Sequence, residues 1–342
     1  MISNRKILLK SAGMMFFLSA LAAFFSVNAA AKQKKEMLET LNRVQKDMPE
    51  FSFTGRNFSE DELEYFSYYR LNFPKCTHYF GKKFISGYTI AVHAFVPENP
   101  SGTMFLIHGY YDHTGVMQGL ISHYLDQNYS VVIYDHPGHG ISSGDRNSIN
   151  TFSAYTDVME KIVDISEKKL KGPYSVTAHS MGCAITSDYL DRKRKASFEN
   201  IVFIAPLFHI AHWDNILKVN SINSGIIDRS PRILRNNTKN REFRKFVSQD
   251  PLQSRILSSQ WVKALINWNL KIGKSAVLDR KITVIQGTKD TTVDWKYNIA
   301  KIREIYPEPE IHYIKGAGHQ LMNEIPSYRN EMYEIINEKT EN

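Results

Sequence analysis

Short apolar runs alternate with amphipathic stretches over most of the chain, and this alternation restricts the possible folds more than any other feature. The apolar runs cover residues 88–96, 104–107, 130–134, 174–178, 201–205, 282–285 and 311–314. Such runs are typical of strands that are covered on both faces of a parallel sheet. Between two of them, Val158, Ile162 and Ile165 share one face of a predicted helix over 155–170. The pattern predicts an α/β fold with a mostly parallel central sheet, helices on both faces, and chemistry at the carboxyl ends of the strands.

Two segments interrupt this alternation. Residues 32–75 are predicted to form an N-terminal helical flank, since Met37, Leu41 and Val44 recur at helical spacing. Within it, Ser59 with Glu62 three residues later predicts the capped start of a second helix. The stretch 208–280 has no strand signal and is too long for a connection, so it predicts a helical lid insertion in a domain spanning 76–342.

The N-terminus has the pattern of a targeting segment. Arg5, Lys6 and Lys10 precede an apolar run over 12–27, and small residues follow at 29–31. A positive segment, an apolar core and a small-residue exit predict a signal peptide over 1–31, with an uncleaved membrane anchor as the alternative. Both interpretations predict an exported location, either periplasmic or extracytoplasmic, or attachment to a membrane.

The composition is that of a basic globular protein. The formal net charge is +8, which suits either a nucleic-acid binder or an enzyme that works at an anionic membrane surface. No zinc-finger spacing, Walker lysine loop or ribonucleoprotein signature accompanies the charge, so we expect a membrane surface and no nucleic acid as partner. No obligate protein partner is evident. The two cysteines, Cys76 and Cys183, leave room for one bridge, although we expect Cys183 to pack as a small buried side chain.

A serine lies at a sharp predicted turn between a strand and a helix. Residues 178–182 read Ala-His-Ser-Met-Gly, which matches the nucleophile elbow G-x-S-x-G with Ala178 at the first glycine position. The turn needs a small residue on each side of the serine, here two positions before it and two positions after it. Larger side chains at these positions would clash with the adjacent strand and helix. Ser180 is therefore the candidate nucleophile. A structural serine in an ordinary strand–helix turn is the alternative when the motif is taken alone.

An acid and a histidine follow the serine along the chain, each in a short motif after a predicted strand. Asp290 ends the sequence Gln-Gly-Thr-Lys-Asp, and His319 ends Gly-Ala-Gly-His. The order serine, acid, histidine is the one that α/β hydrolases use, with the histidine as base and the carboxylate as its orienting partner. Asp294 is the rival acid, but we expect it inside the following helix.

Two backbone amides are predicted to stabilise a developing oxyanion. One belongs to Met181, directly after the serine, and the other to Tyr110, in the loop that begins His108-Gly109 after a strand. A plain glycine turn is the alternative interpretation of that loop. The remaining histidines in these loops, at positions 113, 136, 139 and 179, lack the spacing of a metal-ligand pair, so we expect no metal.

In combination, these motifs resemble the monoacylglycerol lipase and bacterial lysophospholipase group of α/β hydrolases, which are serine aminopeptidase-like. The resemblance covers roughly residues 84–335 and is carried by residues 108–115, 135–144, 179–182, 248–252 and 318–324. It implies a cofactor-free serine esterase acting on monoacylglycerol or lysophospholipid beneath a helical cap. Two residues depart from the pattern: Ala178 replaces a glycine, and Pro137 stands where an arginine is common.

The insertion is strongly basic. Between residues 208 and 278 it has twelve lysines and arginines against four acids. Arg232, Arg235 and Arg241 are predicted to meet phosphate headgroups while nearby apolar side chains accept an acyl chain, and a solvated helical face is the alternative. A small soluble ester, thioester or peptide would need the same catalytic side chains. A non-enzymatic alternative is a membrane-attached binding module without catalytic activity. The intact set of serine, acid and histidine argues against it.

Overall fold

The computed structural model describes residues 31–222, 228–232, 237–273 and 277–340. Its strands are β1 (Thr77–Ile85), β2 (Tyr88–Val96), β3 (Gly102–Ile107), β4 (Tyr129–Tyr134), β5 (Tyr174–His179), β6 (Phe198–Ile204), β7 (Arg229–Pro231), β8 (Ile256–Ser258), β9 (Thr283–Gly287) and β10 (Glu310–Ile314). Its helices are α1 (31–47), α2 (Glu60–Tyr68), α3 (Gln118–Asp126), α4 (Ser153–Glu167), α5 (Met181–Arg192), α6 (Trp213–Ile222), α7 (Arg241–Gln249), α8 (Ser259–Ile272), α9 (Trp295–Ile305) and α10 (Pro326–Thr340).

Eight strands form one mixed, mostly parallel sheet in the order β1-β2-β4-β3-β5-β6-β9-β10. The strands from β4 to β10 in this order are parallel, whereas β2 pairs antiparallel with both β1 and β4. All seven apolar runs form strands of this sheet, so the predicted fold class is confirmed. The edge strand β1 was not predicted, because Gly81, Lys82 and Lys83 interrupt its apolar residues. Charged residues of this kind are common in strands at the edge of a sheet.

Helices cover both faces of the sheet, as predicted. On one face, α4, α5, α8 and α9 contribute side chains such as Ile162 and Leu265 to a buried core. On the other face, α1, α2, α3 and α10 form a second core that includes Leu41 and Leu120. The carboxyl ends of the parallel strands therefore lie between two well-packed layers, which hold the loops at that edge in position.

The N-terminal flank contains the two predicted helices. Helix α2 begins with the expected capping box, in which Ser59 and Glu62 each accept a hydrogen bond from the other's backbone amide. Arg43 of α1 donates two hydrogen bonds to the carboxylate of Asp61 in α2, at 2.8 and 2.9 Å. The boundaries at residues 75 and 76 stay a prediction, since both helices share a core with the rest of the chain.

Among its described residues, the insertion contains the predicted helices, α6, α7 and α8, and in addition two short strands, β7 and β8, which the sequence did not predict. Strand β7 pairs antiparallel with β8, for example through Ser230 and Leu257. Each strand has three residues, which is too short to leave a periodic pattern in the sequence. Helix α8 buries Leu265 and Trp268 in the core, whereas α7 has no fully buried residue. A lid role for this insertion stays a prediction.

The predicted location needs correction. Across the described ranges, no helix combines the length and the apolar character that crossing a bilayer requires. A membrane-spanning anchor is therefore not found in this part of the chain, which corrects the predicted location. Residues 1–30 of the predicted signal peptide or anchor lie outside the described residues.

The two cysteines are not bridged. Cys76 is partly exposed and Cys183 is buried, and both are free thiols. The Cys183 thiol donates a hydrogen bond to the carbonyl of Ala178 at 3.2 Å. Its burial confirms the prediction that Cys183 packs as a small core side chain, and the one bridge left open by the sequence does not form.

Candidate active site

The candidate nucleophile lies at a strained turn between β5 and α5. Ser180 has φ 52° and ψ −113°, a backbone conformation that non-glycine residues rarely adopt. A Cβ atom on Gly182 would lie 2.1 Å from the carbonyl oxygen of Ile107, so no side chain fits there. Ala178, which departs from the usual glycine, is completely buried. The elbow thus has room for one methyl group two positions before the serine and for no side chain two positions after it.

The structure brings Ser180, His319 and Asp290 together, although they are far apart in the sequence. His319 Nε2 lies 3.0 Å from Ser180 Oγ, and His319 Nδ1 lies 2.7 Å from Asp290 Oδ2. All three side chains are buried at the carboxyl edge of the sheet. The arrangement can withdraw a proton from the serine hydroxyl and hold the resulting imidazolium against a carboxylate.

Asp290 is held as an ionised acceptor by its surroundings. Burial opposes ionisation, but the charge and hydrogen bond of His319 and the amides of Thr292 and Val293 outweigh it and lower the pKa of Asp290. The rival, Asp294, instead caps α9 by accepting a hydrogen bond from the amide of Tyr297 at 3.2 Å. Of the two acids, Asp290 alone contacts the histidine.

The two residues predicted to supply oxyanion donors flank the nucleophile. A Cβ atom placed on Gly109 would lie 3.1 Å from Ser180 Cβ, so the loop before Tyr110 closely approaches the serine. Met181 opens α5, where the amide end of a helix favours negative charge. Trp261 of α8 contacts both residues: its ring stacks on Tyr110 at 3.8 Å, and its Nε1 donates to Met181 Sδ at 3.3 Å.

A second buried carboxylate lies beside the site, and its role had no separate signal in the sequence. Asp112 Oδ2 lies 2.8 Å from His179 Nδ1, and Asp112 Oδ1 accepts a hydrogen bond from Gln320 at 3.0 Å. Burial opposes ionisation here too, yet His179 and Gln320 lower the pKa of Asp112 far below its usual range. These contacts fix the loop after β3 against the elbow and against the residue that follows His319.

Asp135 joins the loops after β3 and β4. Its Oδ1 accepts hydrogen bonds from the amide and the hydroxyl of Thr114, each at 2.8 Å, and its Oδ2 accepts from the amide of Ile141 at 2.9 Å. Gly140, at φ 50°, lies so close to the carboxylate that a Cβ atom would overlap it.

The other loop histidines serve the packing. Burial lowers the pKa of His108 to about 4 and that of His139 to about 3, so both rings are neutral near pH 7. His108 accepts a hydrogen bond from the amide of His136 at 3.1 Å. Among the residues with described positions, no group of three or more histidine, cysteine or acidic side chains is arranged to hold a metal ion.

The three predicted headgroup residues have different positions. Arg232 stacks on the ring of Tyr111 at 3.8 Å and lines a cavity of about 220 Å³, here called the cationic cavity. Other residues that line it are Lys34, Asp112, Arg244, Arg255 and Gln320. Arg241 is exposed at the start of α7 and is not part of this lining, so its headgroup role stays a prediction. Arg235 lies outside the described residues.

The chain is similar in sequence and in fold to several known proteins. The chain is 24% identical over 241 residues to phospholipase YtpA of Bacillus subtilis, covering 66% of this chain and 91% of that protein. It is 26% identical over 258 residues to monoglyceride lipase of Homo sapiens, covering 70% and 82%. A soluble variant of monoglyceride lipase from Saccharomyces cerevisiae, solved in complex with a substrate analog, has the same fold, with a TM-score of 0.67 and 18% identity over 77% of this chain and 95% of that one.

A family assignment covers more than half of the sequence. Residues 98–326 match the family described as "Serine aminopeptidase, S33". The matched region extends from the loop before β3 to the start of α10, and it includes Ser180, Asp290 and His319. The resemblance noted from the sequence motifs is therefore confirmed, and the chain belongs to the serine aminopeptidase S33 family of α/β hydrolases.

Proposed function

We propose that this chain is a serine hydrolase that cleaves the carboxylic ester of a monoacyl lipid through an acyl-enzyme on Ser180. The observation that carries the proposal is the pair of contacts of His319, 3.0 Å to Ser180 Oγ and 2.7 Å to Asp290 Oδ2. The similarity to monoglyceride lipases and to a phospholipase supports a lipid ester as the substrate.

The first half of the reaction follows from these contacts. His319 Nε2 takes the hydroxyl proton as Ser180 Oγ attacks the ester carbonyl carbon, and the carbonyl electron pair moves to the oxygen. The amides of Tyr110 and Met181 stabilise that oxyanion. When the intermediate collapses, the bond to the leaving alkoxide breaks, and the alkoxide takes the proton from His319.

Water completes the cycle by the same route. His319 removes a proton from the water molecule as its oxygen attacks the acyl carbon, and the second oxyanion uses the same two amides. Collapse releases the fatty acid and returns the proton to Ser180 Oγ. Asp290 stays ionised throughout and keeps Nδ1 of His319 protonated.

The insertion supports an amphiphilic substrate. Helix α7 has no fully buried residue and combines Arg241 and Lys245 with the half-buried side chains of Phe243 and Phe246. Contact of this helix with a lipid surface would keep its cations near anionic headgroups while its apolar side chains meet acyl chains. A small soluble ester or a peptide is the alternative substrate, and its hydrolysis would not require a helix with such a cationic and apolar surface.

Covalent labelling tests the nucleophile directly. A fluorophosphonate probe should label the native protein and the Ser101→Ala variant, whose replaced serine is exposed in a turn remote from the elbow. Ser180→Ala should abolish both labelling and ester hydrolysis. Labelling of Ser180→Ala at the native level would contradict the proposal and would favour the non-catalytic binding module.

Substrate class is tested with the same preparation. Hydrolysis of a monoacylglycerol, a lysophospholipid, a short soluble ester and an aminoacyl amide should be compared as kcat/KM. We expect the two monoacyl lipids to be the best substrates. A preference for the aminoacyl amide would contradict the lipid ester and would favour peptidase activity.

A further inference from the structure

The cationic cavity adjoins the catalytic residues. Its wall includes Gln320, which directly follows His319, and Asp112, which hydrogen-bonds to Gln320. Asp112 Oδ2 and Ser180 Cβ both lie within 3.1 Å of the point that a Cβ atom on Gly109 would occupy. A ligand in this cavity is therefore within reach of a reacting group at Ser180.

Four cations line this cavity, Arg244 of α7 and three that come from other parts of the chain. Lys34 belongs to α1, Arg232 directly follows β7, and Arg255 directly precedes β8. Each donates to neutral oxygens: Lys34 to the carbonyl of Asp250 at 3.0 Å, Arg232 to the side-chain oxygen of Gln253 at 3.0 Å, and Arg255 to the carbonyl of Ser248 at 3.5 Å. None of these three cations forms an ion pair with a carboxylate of the described residues.

The cations are held together at an electrostatic cost. Burial and then the charge of Arg255 lower the pKa of Lys34, which indicates that the two cations act on each other across the cavity. Burial also lowers the pKa of Arg232. Asp112 is the carboxylate in the wall, but its oxygens are already engaged by His179 and Gln320. A bound anion would relieve this repulsion.

The donor set fits a phosphate group. Two guanidinium groups and one ammonium group approach from different elements, and a phosphate has enough terminal oxygens to accept from all three. The cavity also has an apolar side, formed by Phe243 and Val247 of α7. An anion that is attached to an apolar chain matches both sides of the cavity.

We propose that Lys34, Arg232 and Arg255 bind the phosphate of a phosphorylated monoacyl ester and place its acyl ester at Ser180. This inference rests on the proposed esterase function and specifies its substrate class. Lys34 precedes the region 98–326 that matches the family, so this subsite depends on a segment outside the shared domain.

Kinetics with paired substrates test the subsite. The Lys34→Gln/Arg255→Gln double variant should be compared with the native protein on 1-oleoylglycerol 3-phosphate and on 1-oleoylglycerol, which differ by the phosphate. We expect kcat/KM to fall about tenfold or more on the phosphorylated ester and to change less than about twofold on the neutral one. Lys263→Gln is the matched control, because Lys263 is an exposed cation of the same insertion outside the cavity. It should leave both values unchanged.

Binding without turnover separates the subsite from catalysis. In the Ser180→Ala background, calorimetry with the phosphorylated lipid should give tighter binding than with the neutral lipid, and the double substitution should remove the difference. Inorganic phosphate should compete only weakly. Competition as strong as that of the lipid would support the anion site but would assign it to free phosphate.

The outcomes distinguish the two proposals. An equal loss on both lipids, or no loss on the phosphorylated one, would overturn the phosphate subsite. The native protein would then still hydrolyse the neutral ester, and the proposed esterase function would stand. If no ester is hydrolysed, the esterase proposal fails, and the calorimetric comparison still decides whether the cavity binds phosphate.

Discussion

Two aspartates four positions apart show how local backbone geometry divides the tasks of chemically identical residues. Asp290 lies in the loop three residues after the end of β9, and its carboxylate contacts His319 and accepts hydrogen bonds from two backbone amides. Asp294 is at the start of α9, where its carboxylate caps the helix. The acid beside the histidine is therefore the one that the strand end presents to the sheet edge.

Substituting these acids gives a direct comparison. Asp290→Asn keeps the size of the side chain but no longer favours the required imidazole tautomer, so we expect kcat to fall by about 10³- to 10⁴-fold. Asp294→Asn retains a good helix cap and should keep kcat within about twofold. Steady-state hydrolysis of a neutral ester measures both, with unchanged denaturation curves as a check on folding. Equal losses in the two variants would contradict the assignment of Asp290.

The sequence predicted the catalytic residues because each follows an apolar strand in a recognisable local motif. The roles of Asp112, Asp135 and Gln320 depend on contacts between loops that are distant in the sequence. Such contacts have no local pattern, so the sequence pointed to these residues only through the family resemblance. For the same reason it grouped Arg241 with Arg232 and did not identify Lys34 or Arg255.

At the scale of elements, Asp250 joins three separate segments. Directly after α7, its carboxylate accepts a hydrogen bond from Tyr69 at 2.6 Å and lies 2.8 Å from His113 Nε2. Tyr69 directly follows α2, and His113 lies in the loop after β3. Burial opposes the charged form of each partner, but their mutual attraction raises the pKa of His113 and lowers the pKa of Asp250.

These opposite shifts predict a pH dependence of stability. The contribution of His113 is complete below its ordinary pKa of 6.5 and is lost as the pH rises through its higher folded-state pKa. The contribution of Asp250 is present above its ordinary pKa of 3.8 and is lost as the pH falls through its lower folded-state pKa. His113→Asn should therefore lower the free energy of unfolding most near pH 5, by about 3 kcal/mol, and less near pH 9.

Urea denaturation at several pH values measures this effect, and the His113→Asn/Asp250→Asn double variant is its control. Because neither asparagine titrates, the double variant should lack the part of the pH dependence that comes from the pair. If the double variant keeps the native pH profile, the pair is not its source.

Element prediction succeeded where burial on both faces produced an unbroken apolar run and failed where it did not. The prediction of β2 was correct at both ends, whereas β1 is half-exposed and the β7–β8 pair is very short. The capping box of α2 was predictable because its two partners are three residues apart.

At the scale of the whole molecule, the N-terminal flank is part of the main core. Met37, Leu41 and Val44 of α1 are buried in the same cluster as Met104 and Leu106 of β3. The sequence identified the helices but not this packing, because periodicity shows which face is apolar and not what covers it.

Removing the flank should therefore destabilise the hydrolase domain. A chain that begins at residue 76 exposes apolar side chains of the core that the flank covers. Burial of each such side chain stabilises the fold by about 1.5 to 3 kcal/mol, so we expect the shortened chain to be aggregated or unfolded. The reference is a chain that begins at residue 31, compared by thermal denaturation and gel filtration. A monomeric, cooperatively folded 76–342 fragment would show that the flank is dispensable.

The backbone of Ser180 has a consequence for the evolution of this protein. At φ 52° and ψ −113°, the nucleophile occupies a conformation that costs on the order of 1–3 kcal/mol for a residue with a side chain. Selection for thermal resistance alone would favour glycine at this position and would eliminate activity. Stability and turnover are thus in direct conflict at a single residue, and natural selection has kept the less stable choice.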